Sequence, residues 1–130
     1  VFAYLLGPHG TPVVAVTGDT ATCAEARDVI PGVTAVAVKR GYTFESGQCI
    51  APQRARVMIE EQVRNALLNI QTQPLLPPDP SVWRVKYHLD GMAARMTALP
   101  GVKVVAPEEI VIDAGSYNAG LNRIFGWPNN

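Results

Sequence analysis

The sequence is poor in the side chains that hold metal ions or form disulfides, with only two cysteines and two histidines in 130 residues. Cys23 and Cys49 are too few for a disulfide framework, their spacing matches no zinc motif, and neither is expected to be a nucleophile. A catalytic metal needs three or more converging His, Cys, Asp or Glu ligands. His9 lies in a Gly-Pro-His-Gly turn and His88 on the polar face of a predicted strand, so we interpret both as surface residues. We therefore expect no metal site formed by this chain alone.

Charge of one sign is not in excess either, because eleven Lys and Arg residues balance eleven Asp and Glu residues and neither sign forms a run. Nucleic acids and anionic membranes are therefore excluded as expected partners, since both require a concentrated basic surface. The apolar runs fall far short of the roughly 20 residues of a membrane span, and no stretch resembles a secretory signal. Together with the low cysteine content, this favours a soluble protein of the cytoplasm.

The first predicted unit is β-α-β. Val13–Val16 is an unbroken apolar run, which is typical of a strand covered on both faces in a parallel sheet. Asp19, Thr20 or Thr22 can cap the helix that follows. A second β-branched run at 33–38 completes the unit, and two parallel strands joined by a helix require a right-handed crossover.

The longest predicted element is a helix that begins at Pro52, a residue suited to the first helical position. Its apolar residues recur at intervals of three and four and form one stripe: Ala55, Ile59, Val63, Ala66, Leu67 and Ile70. The opposite face carries Arg56, Glu60 and Arg64, whose spacing of four favours ion pairs at the surface. Before this helix, residues 39–48 mix Gly, Ser, Thr and aromatic residues and predict a surface loop or an irregular strand.

A proline-rich stretch, residues 71–81, separates this half of the chain from a smaller one. A strand with one buried face follows, and its apolar positions are Trp83, Val85, Tyr87 and Leu89. Asp90 is a candidate cap for a short helix. Strands at 102–105 and 110–112 then lead to a final helix over 116–125.

The final helix is weak on intrinsic propensity, since Gly115 and Gly120 each cost about 1 kcal/mol relative to Ala, and tertiary packing has to hold it. The pattern as a whole predicts an α/β fold. Residues 1–70 form part of a mostly parallel sheet domain with a βαβ unit and a long helix. Residues 71–81 are a linker, and 82–130 form a small α+β domain of order β-α-β-β-α.

Ligands of open α/β sheets bind near the carboxyl ends of the strands. Thr17-Gly18-Asp19 follows the first predicted strand, and Lys39 and Arg40 end the second. Asp19 is either the cap of the following helix or a side chain of a pocket. Lys39 is either a solvated strand end or a group that faces a crevice. These two residues are the candidates for contact with a substrate.

The order of several segments resembles one known family. The segments are Ala3-Tyr4, Thr11–Asp19, Ala24–Ala26, Ile30–Val33, Ala35–Lys39, Ala51-Pro52, Pro77-Pro78 and Leu99–Val102. In this order they resemble the bacterial zinc D-aminopeptidases, over nearly the whole chain from about Ala3 to Phe125. The most specific stretch is 11–39.

The resemblance implies a peptidase that hydrolyses short peptides with an N-terminal D-residue and assembles into homo-oligomeric rings. Its zinc would be held by Asp, Glu and His ligands that lie upstream of the matched segment. No catalytic or metal position carries over to this chain. Asp19 and Lys39 carry over only as supporting residues at family-like strand ends. The uncapped apolar start after Val1 favours an N-terminal part of the same enzyme, either upstream or as a separate partner chain.

The expected function is therefore that of a C-terminal fragment or subunit of a metal-dependent aminopeptidase or amide hydrolase. Residues 41–48 depart from the basic, Ser-containing stretch usual in the family, so the substrate is either a short D-peptide or a related amide. The alternative is a non-catalytic binding or assembly module of the same fold, because the metal ligands are missing from the matched segment.

Overall fold

The computed structural model describes residues 2–43, 45–89 and 91–125, and it divides between Leu76 and Pro77 into two compact units. The helices are α1 (Phe2–Leu6), α2 (Thr20–Val29), α3 (Pro52–Leu68), α4 (Met92–Arg95) and α5 (Tyr117–Phe125). The strands are β1 (Ala15–Asp19), β2 (Thr34–Gly41), β3 (Gly47–Cys49), β4 (Ser81–Lys86), β5 (Val102–Ala106) and β6 (Glu109–Gly115). This confirms the predicted α/β class. No helix in the described ranges is long and apolar enough to cross a membrane.

The first unit is built on a parallel β-α-β unit, as predicted. Strand β1 lies two to three residues later than the predicted Val13–Val16, at Ala15–Asp19. It pairs in parallel with β2 from Ala15 opposite Thr34 onward, and α2 contacts both strands. Strand β2 continues beyond the predicted 33–38 to Gly41, because β3 returns antiparallel beside its end. The backbone groups of β3 supply hydrogen-bond partners to the end of β2, which would otherwise be exposed to water. The irregular stretch predicted for 39–48 is therefore a short hairpin.

Helix α3 begins at Pro52, as predicted, and contacts both parallel strands. Along its stripe Ala55, Ile59 and Val63 are half-buried, and Ala66, near the end of the helix, is only 7% exposed. The prediction was wrong at the end of the stripe, because Leu67 and Ile70 are 57% and 51% exposed. The helix ends at Leu68, so Ile70 leaves the helical path, and the narrow sheet covers only part of the apolar face.

The segment after α3 packs along the first unit before the chain leaves it. Thr72 is almost completely buried. A Cβ built on Gly7 would overlap the backbone carbonyl of Leu75, which shows how closely the two stretches of main chain approach. Residues 71–76, whose proline-rich composition predicts an extended connection, form neither helix nor strand and are part of the first unit.

The second unit has the predicted element order, β-α-β-β-α. Strand β6 lies in the middle of the sheet and pairs antiparallel with β4 on one side and β5 on the other. A buried cluster forms on one face: Ala93, Ile110, Ile112 and Ala114. Trp83, Val85 and Tyr87 pack against it, as the alternating pattern predicted. Leu89 was predicted to join them but is 68% exposed, because β4 ends at Lys86 and Tyr87 is the last alternating position that packs against the cluster. The predicted cap Asp90 lies outside the described residues.

The final helix, α5, is held by packing rather than by propensity. Leu121 is 1% exposed, and the Tyr117 ring lies 4.7 Å from the Trp83 ring between centroids. Gly120 faces the same indole so closely that a Cβ there would overlap the ring. The glycine that weakens the isolated helix is therefore the residue that lets it approach β4.

Candidate functional site

Asp19 stands at the carboxyl end of β1 and caps α2. Its backbone is extended, and its side chain accepts a hydrogen bond from the Thr22 backbone N–H at 2.7 Å. This is the geometry of an N-cap, in which a side-chain oxygen satisfies an N–H group that has no partner inside the helix. Of the three candidate caps, the structure selects Asp19.

Lys39 lies beside Asp19 at the same edge of the sheet. After an irregularity in β1 between Gly18 and Asp19, the register pairs Asp19 with Lys39. The pKa of the Asp19 carboxyl is lowered, first by hydrogen bonding from the backbone and side chain of Thr22; partial desolvation opposes this, and the positive charge of Lys39 adds to it. The two candidate residues are thus neighbours. Asp19 caps the helix, and the exposed side chain of Lys39 is accessible to a ligand.

A pocket of about 410 Å³ opens at this edge of the sheet. It is formed by the ends of β2 and β3, the start of α2 and the first turn of α3. The polar side chains of its wall come from Thr20, Lys39, Arg40, Gln48, Cys49 and Arg54. Its position agrees with the rule that ligands of open α/β sheets bind beyond the carboxyl ends of parallel strands.

The pocket wall is positively charged. Lys39, Arg40 and Arg54 line it, and no carboxylate does. Within the ranges that the structure describes, none of these three side chains forms an ion pair. Arg40 lies over the Tyr42 ring, 5.6 Å from its centroid, and the Tyr42 hydroxyl donates to Gln48 Oε1 at 2.8 Å. The wall therefore presents three cations, of which one is positioned by an aromatic ring.

The hairpin between β2 and β3 brings Gln48 and Cys49 to the pocket, which sequence reasoning missed. Cys49 pairs in register with Lys39 and is exposed, whereas Cys23 is completely buried. The turn is tied by hydrogen bonds between Thr43 and Ser46, including a side-chain pair at 2.7 Å. Glycines at both ends of a short polar stretch, Gly41 and Gly47, are the signal that predicts such a return.

Arg54 was also missed as a pocket residue, since the helix pattern only places it on an exposed face near the start of α3. Its role depends on where α3 begins relative to the strand ends, and that is a tertiary arrangement. No signal in the local sequence predicts it.

The described side chains do not fit a zinc ion. Over residues 2–43, 45–89 and 91–125, no three His, Cys, Asp or Glu side chains come together in a way that could hold a metal. His9 and His88 are both exposed. The Asp19 carboxylate accepts a hydrogen bond from Thr22, and its neighbour across the strand pair, Lys39, is a cation that repels a metal ion.

Comparison with known proteins agrees with the fold and with the segment order. Residues 1–124 match the peptidase M55 family of D-aminopeptidases. A D-aminopeptidase of Bacillus subtilis (strain 168) is 33% identical over 103 residues, which are 78% of this chain and 38% of that protein. The structure of the Zn-dependent D-aminopeptidase DppA from Bacillus subtilis, a self-compartmentalizing protease, superposes with a TM-score of 0.81 at 29% identity.

The structural match covers 94% of this chain but 47% of the DppA chain, so the chain spans less than half the length of the relatives it matches. The family match, in turn, covers almost all of this chain, from the first helix to the last. The resemblance seen in the segment order is thereby confirmed, and the chain belongs to the family of D-aminopeptidases.

Proposed function

We propose that this chain is the C-terminal part of a zinc-dependent aminopeptidase that hydrolyses short peptides with an N-terminal D-residue, or related amides. The observation that carries the proposal is the family match over residues 1–124, together with the fold shared with a Zn-dependent D-aminopeptidase. Membership of a peptidase family makes hydrolysis of an amide bond the expected chemistry.

The zinc ion would be bound by Asp, Glu and His side chains of the part of the enzyme that the match does not cover. The described side chains do not form a metal site, and the relatives are more than twice as long as the matched stretch. That other part is either an upstream segment or a separate chain. A bound zinc ion supplies a Lewis acid and an activated water, and the residues described above take no part in holding it.

The division of labour that we propose follows the two units. The first unit, which ends at Leu76, completes the catalytic domain and presents Asp19 and Lys39 near the substrate, and the second unit, which begins at Pro77, forms a small accessory domain. The related protease is self-compartmentalizing, and we extend that property to this protein as a homo-oligomer.

Hydrolysis assays on the intact enzyme, with its metal-binding part present, test the proposal. We expect release of D-alanine from a D-alanyl dipeptide, much slower reaction of the L-alanyl counterpart, and loss of activity on chelation that zinc restores. D-alaninamide as a third substrate separates a peptidase from a general amidase. A zinc-loaded enzyme that cleaves none of these would show that the proposal is wrong.

Purification from the natural source tests whether the enzyme has a further part that binds the metal. We expect the same enzyme to contain, in one chain or in a co-purifying one, a segment rich in His and acidic residues. If the isolated 130-residue chain binds zinc or hydrolyses peptides alone, the proposed origin of the metal site is wrong. If the whole enzyme is inactive while this chain folds cooperatively by itself, a non-catalytic assembly module replaces the proposal.

A further inference from the structure

The positively charged pocket at the ends of β1 and β2 has the properties of a binding site for a small anion. Lys39, Arg40 and Arg54 come from two different elements, β2 and α3, and converge on one cavity of about 410 Å³. None of them pairs with a carboxylate in the described part of the chain. The Asp19 carboxylate, opposite Lys39 in the strand register, offsets part of this charge. The repulsion that remains between the three cations is relieved by a bound anion.

The positive potential comes from these side chains and not from the helix beside them. The N-terminus of α2 adjoins the pocket through Thr20, but the Thr22 N–H of its first turn already donates to the Asp19 carboxylate. Asp19 thereby offsets the partial charge of the helix end. A ligand that enters the pocket therefore meets Lys39, Arg40 and Arg54 as its cationic partners.

The size and chemistry of the pocket select the class of anion. Small-molecule sites commonly have volumes of about 300–1,000 Å³, so this pocket accommodates part of a short peptide and not a large ligand. Arginine presents a planar fork of donors that matches the two oxygens of a carboxylate, and lysine adds a point charge. Gln48 and Thr20 add neutral hydrogen-bonding groups to the same wall.

We propose that this pocket binds the free C-terminal carboxylate of the peptide substrate, with Lys39, Arg40 and Arg54 as residues that determine specificity. The inference rests on the proposed function, because a short peptide that loses its N-terminal residue carries a free carboxylate at its other end. Recognition of that end would restrict the enzyme to peptides of short, defined length. It would also disfavour amides and the interior of long chains, which lack the charge and would bind more weakly.

A thiol in the pocket wall gives a test that does not depend on turnover. Cys49 is exposed in that wall, and Cys23, completely buried, is the internal control. The zinc-stripped intact enzyme is treated with iodoacetamide, a neutral reagent, and alkylation of the Cys49 peptide is followed by mass spectrometry. We expect a D-alanyl dipeptide to slow alkylation of Cys49, and its C-terminal amide or inorganic phosphate at the same concentration to slow it much less.

Kinetics on the zinc-loaded enzyme test the same inference through specificity. In the native enzyme we expect a lower KM for the free dipeptide than for its amide. Arg54→Gln and Lys39→Gln should each raise the KM for the free acid about tenfold, which is the loss of one charge-assisted hydrogen bond, and raise the KM for the amide much less. The matched control is Arg56→Gln, which removes an exposed arginine of the same helix outside the pocket and should change neither KM.

The outcomes separate the two proposals. If peptides are cleaved but acid and amide have equal KM values and protect Cys49 equally, the carboxylate assignment is wrong and the proposed function stands. Equal protection by phosphate and dipeptide overturns the assignment in favour of a general anion site. Protection of Cys49 by the free acid alone, in an enzyme that cleaves no peptide, supports the pocket and rejects the proposed function.

Discussion

Replacing Gly120 with alanine distinguishes the intrinsic preference of a helix from the packing around it. Gly120 lies in the middle of α5, where glycine costs about 1 kcal/mol relative to Ala. Propensity alone therefore predicts that Gly120→Ala makes the second unit more stable by about that amount. The structure predicts the opposite sign, because the added Cβ would overlap the indole of Trp83.

The magnitude follows from the rigidity of the surroundings. Extra methyl groups in a packed interior cost about 1–3 kcal/mol. The Trp83 ring packs against the buried cluster and lies 4.7 Å from the Tyr117 ring, so it has little room to withdraw, which places the cost in the upper part of that range. Offsetting it by the gain of about 1 kcal/mol in helix propensity leaves a net loss of about 1–2 kcal/mol.

Urea denaturation of the intact protein, followed by tryptophan fluorescence, measures the change in the free energy of unfolding. Hydrogen exchange of peptides from β4 and α5 assigns the change to the second unit. The control variant is Asn118→Ala on the exposed side of α5, which should stabilise by at most about 0.7 kcal/mol. In a Trp83→Leu background, Gly120→Ala should become neutral or stabilising, because the overlapping ring is gone. A Gly120→Ala protein that is more stable than the native one refutes the argument.

Three further predictions concern other parts of the fold. Gly7→Ala should destabilise the first unit by at least about 1 kcal/mol in chemical denaturation, because the new Cβ would overlap the main chain at Leu75, which cannot turn aside as a side chain can. Ile110→Ala should cost about 2–5 kcal/mol by the same measurement, since Ile110 is completely buried in the cluster of the second unit, and a cost below 1 kcal/mol would contradict that packing. Asp19→Ala should lower Tm at neutral pH. The pKa of Asp19 is lowered from its usual value of 3.8 by Thr22, so its charge stabilises the fold above that pH, and this contribution is lost as the pH falls through the folded-state pKa. Thermal melts of both proteins from pH 7 to pH 2 should therefore converge, and a constant difference in Tm would show that the charge of Asp19 has no role.

Much of the fold could be predicted because helices and strands follow from local patterns of apolar and polar residues. The short apolar run before Asp19, the proline that begins α3 and the alternation around Trp83 each predict an element through the period of its side chains, and each element is present. The errors lie where elements end. Leu89 continues the alternation in sequence, but β4 ends at Lys86, and periodicity carries no information about when a partner strand ends.

The candidate site was predicted only in part, for the same reason. Asp19 and Lys39 are visible in the sequence because each follows a predicted strand of a parallel pair, and such ends meet at one edge. Cys49 reaches that edge through a hairpin, and Arg54 through the placement of a helix. Their proximity to Lys39 depends on contacts between elements, which local periodicity does not contain.

The sequence by itself determined the elements, the α/β class, the family and the shortage of metal ligands, because these depend on residue types, their spacing and their order along the chain. Only the tertiary structure decided that Asp19 caps α2, that three cations surround one pocket, and that Gly120 allows α5 to pack on Trp83. Those features arise where distant segments come within a few ångströms of each other. At that range the steric and electrostatic energies depend on the three-dimensional arrangement, which no single stretch of sequence specifies.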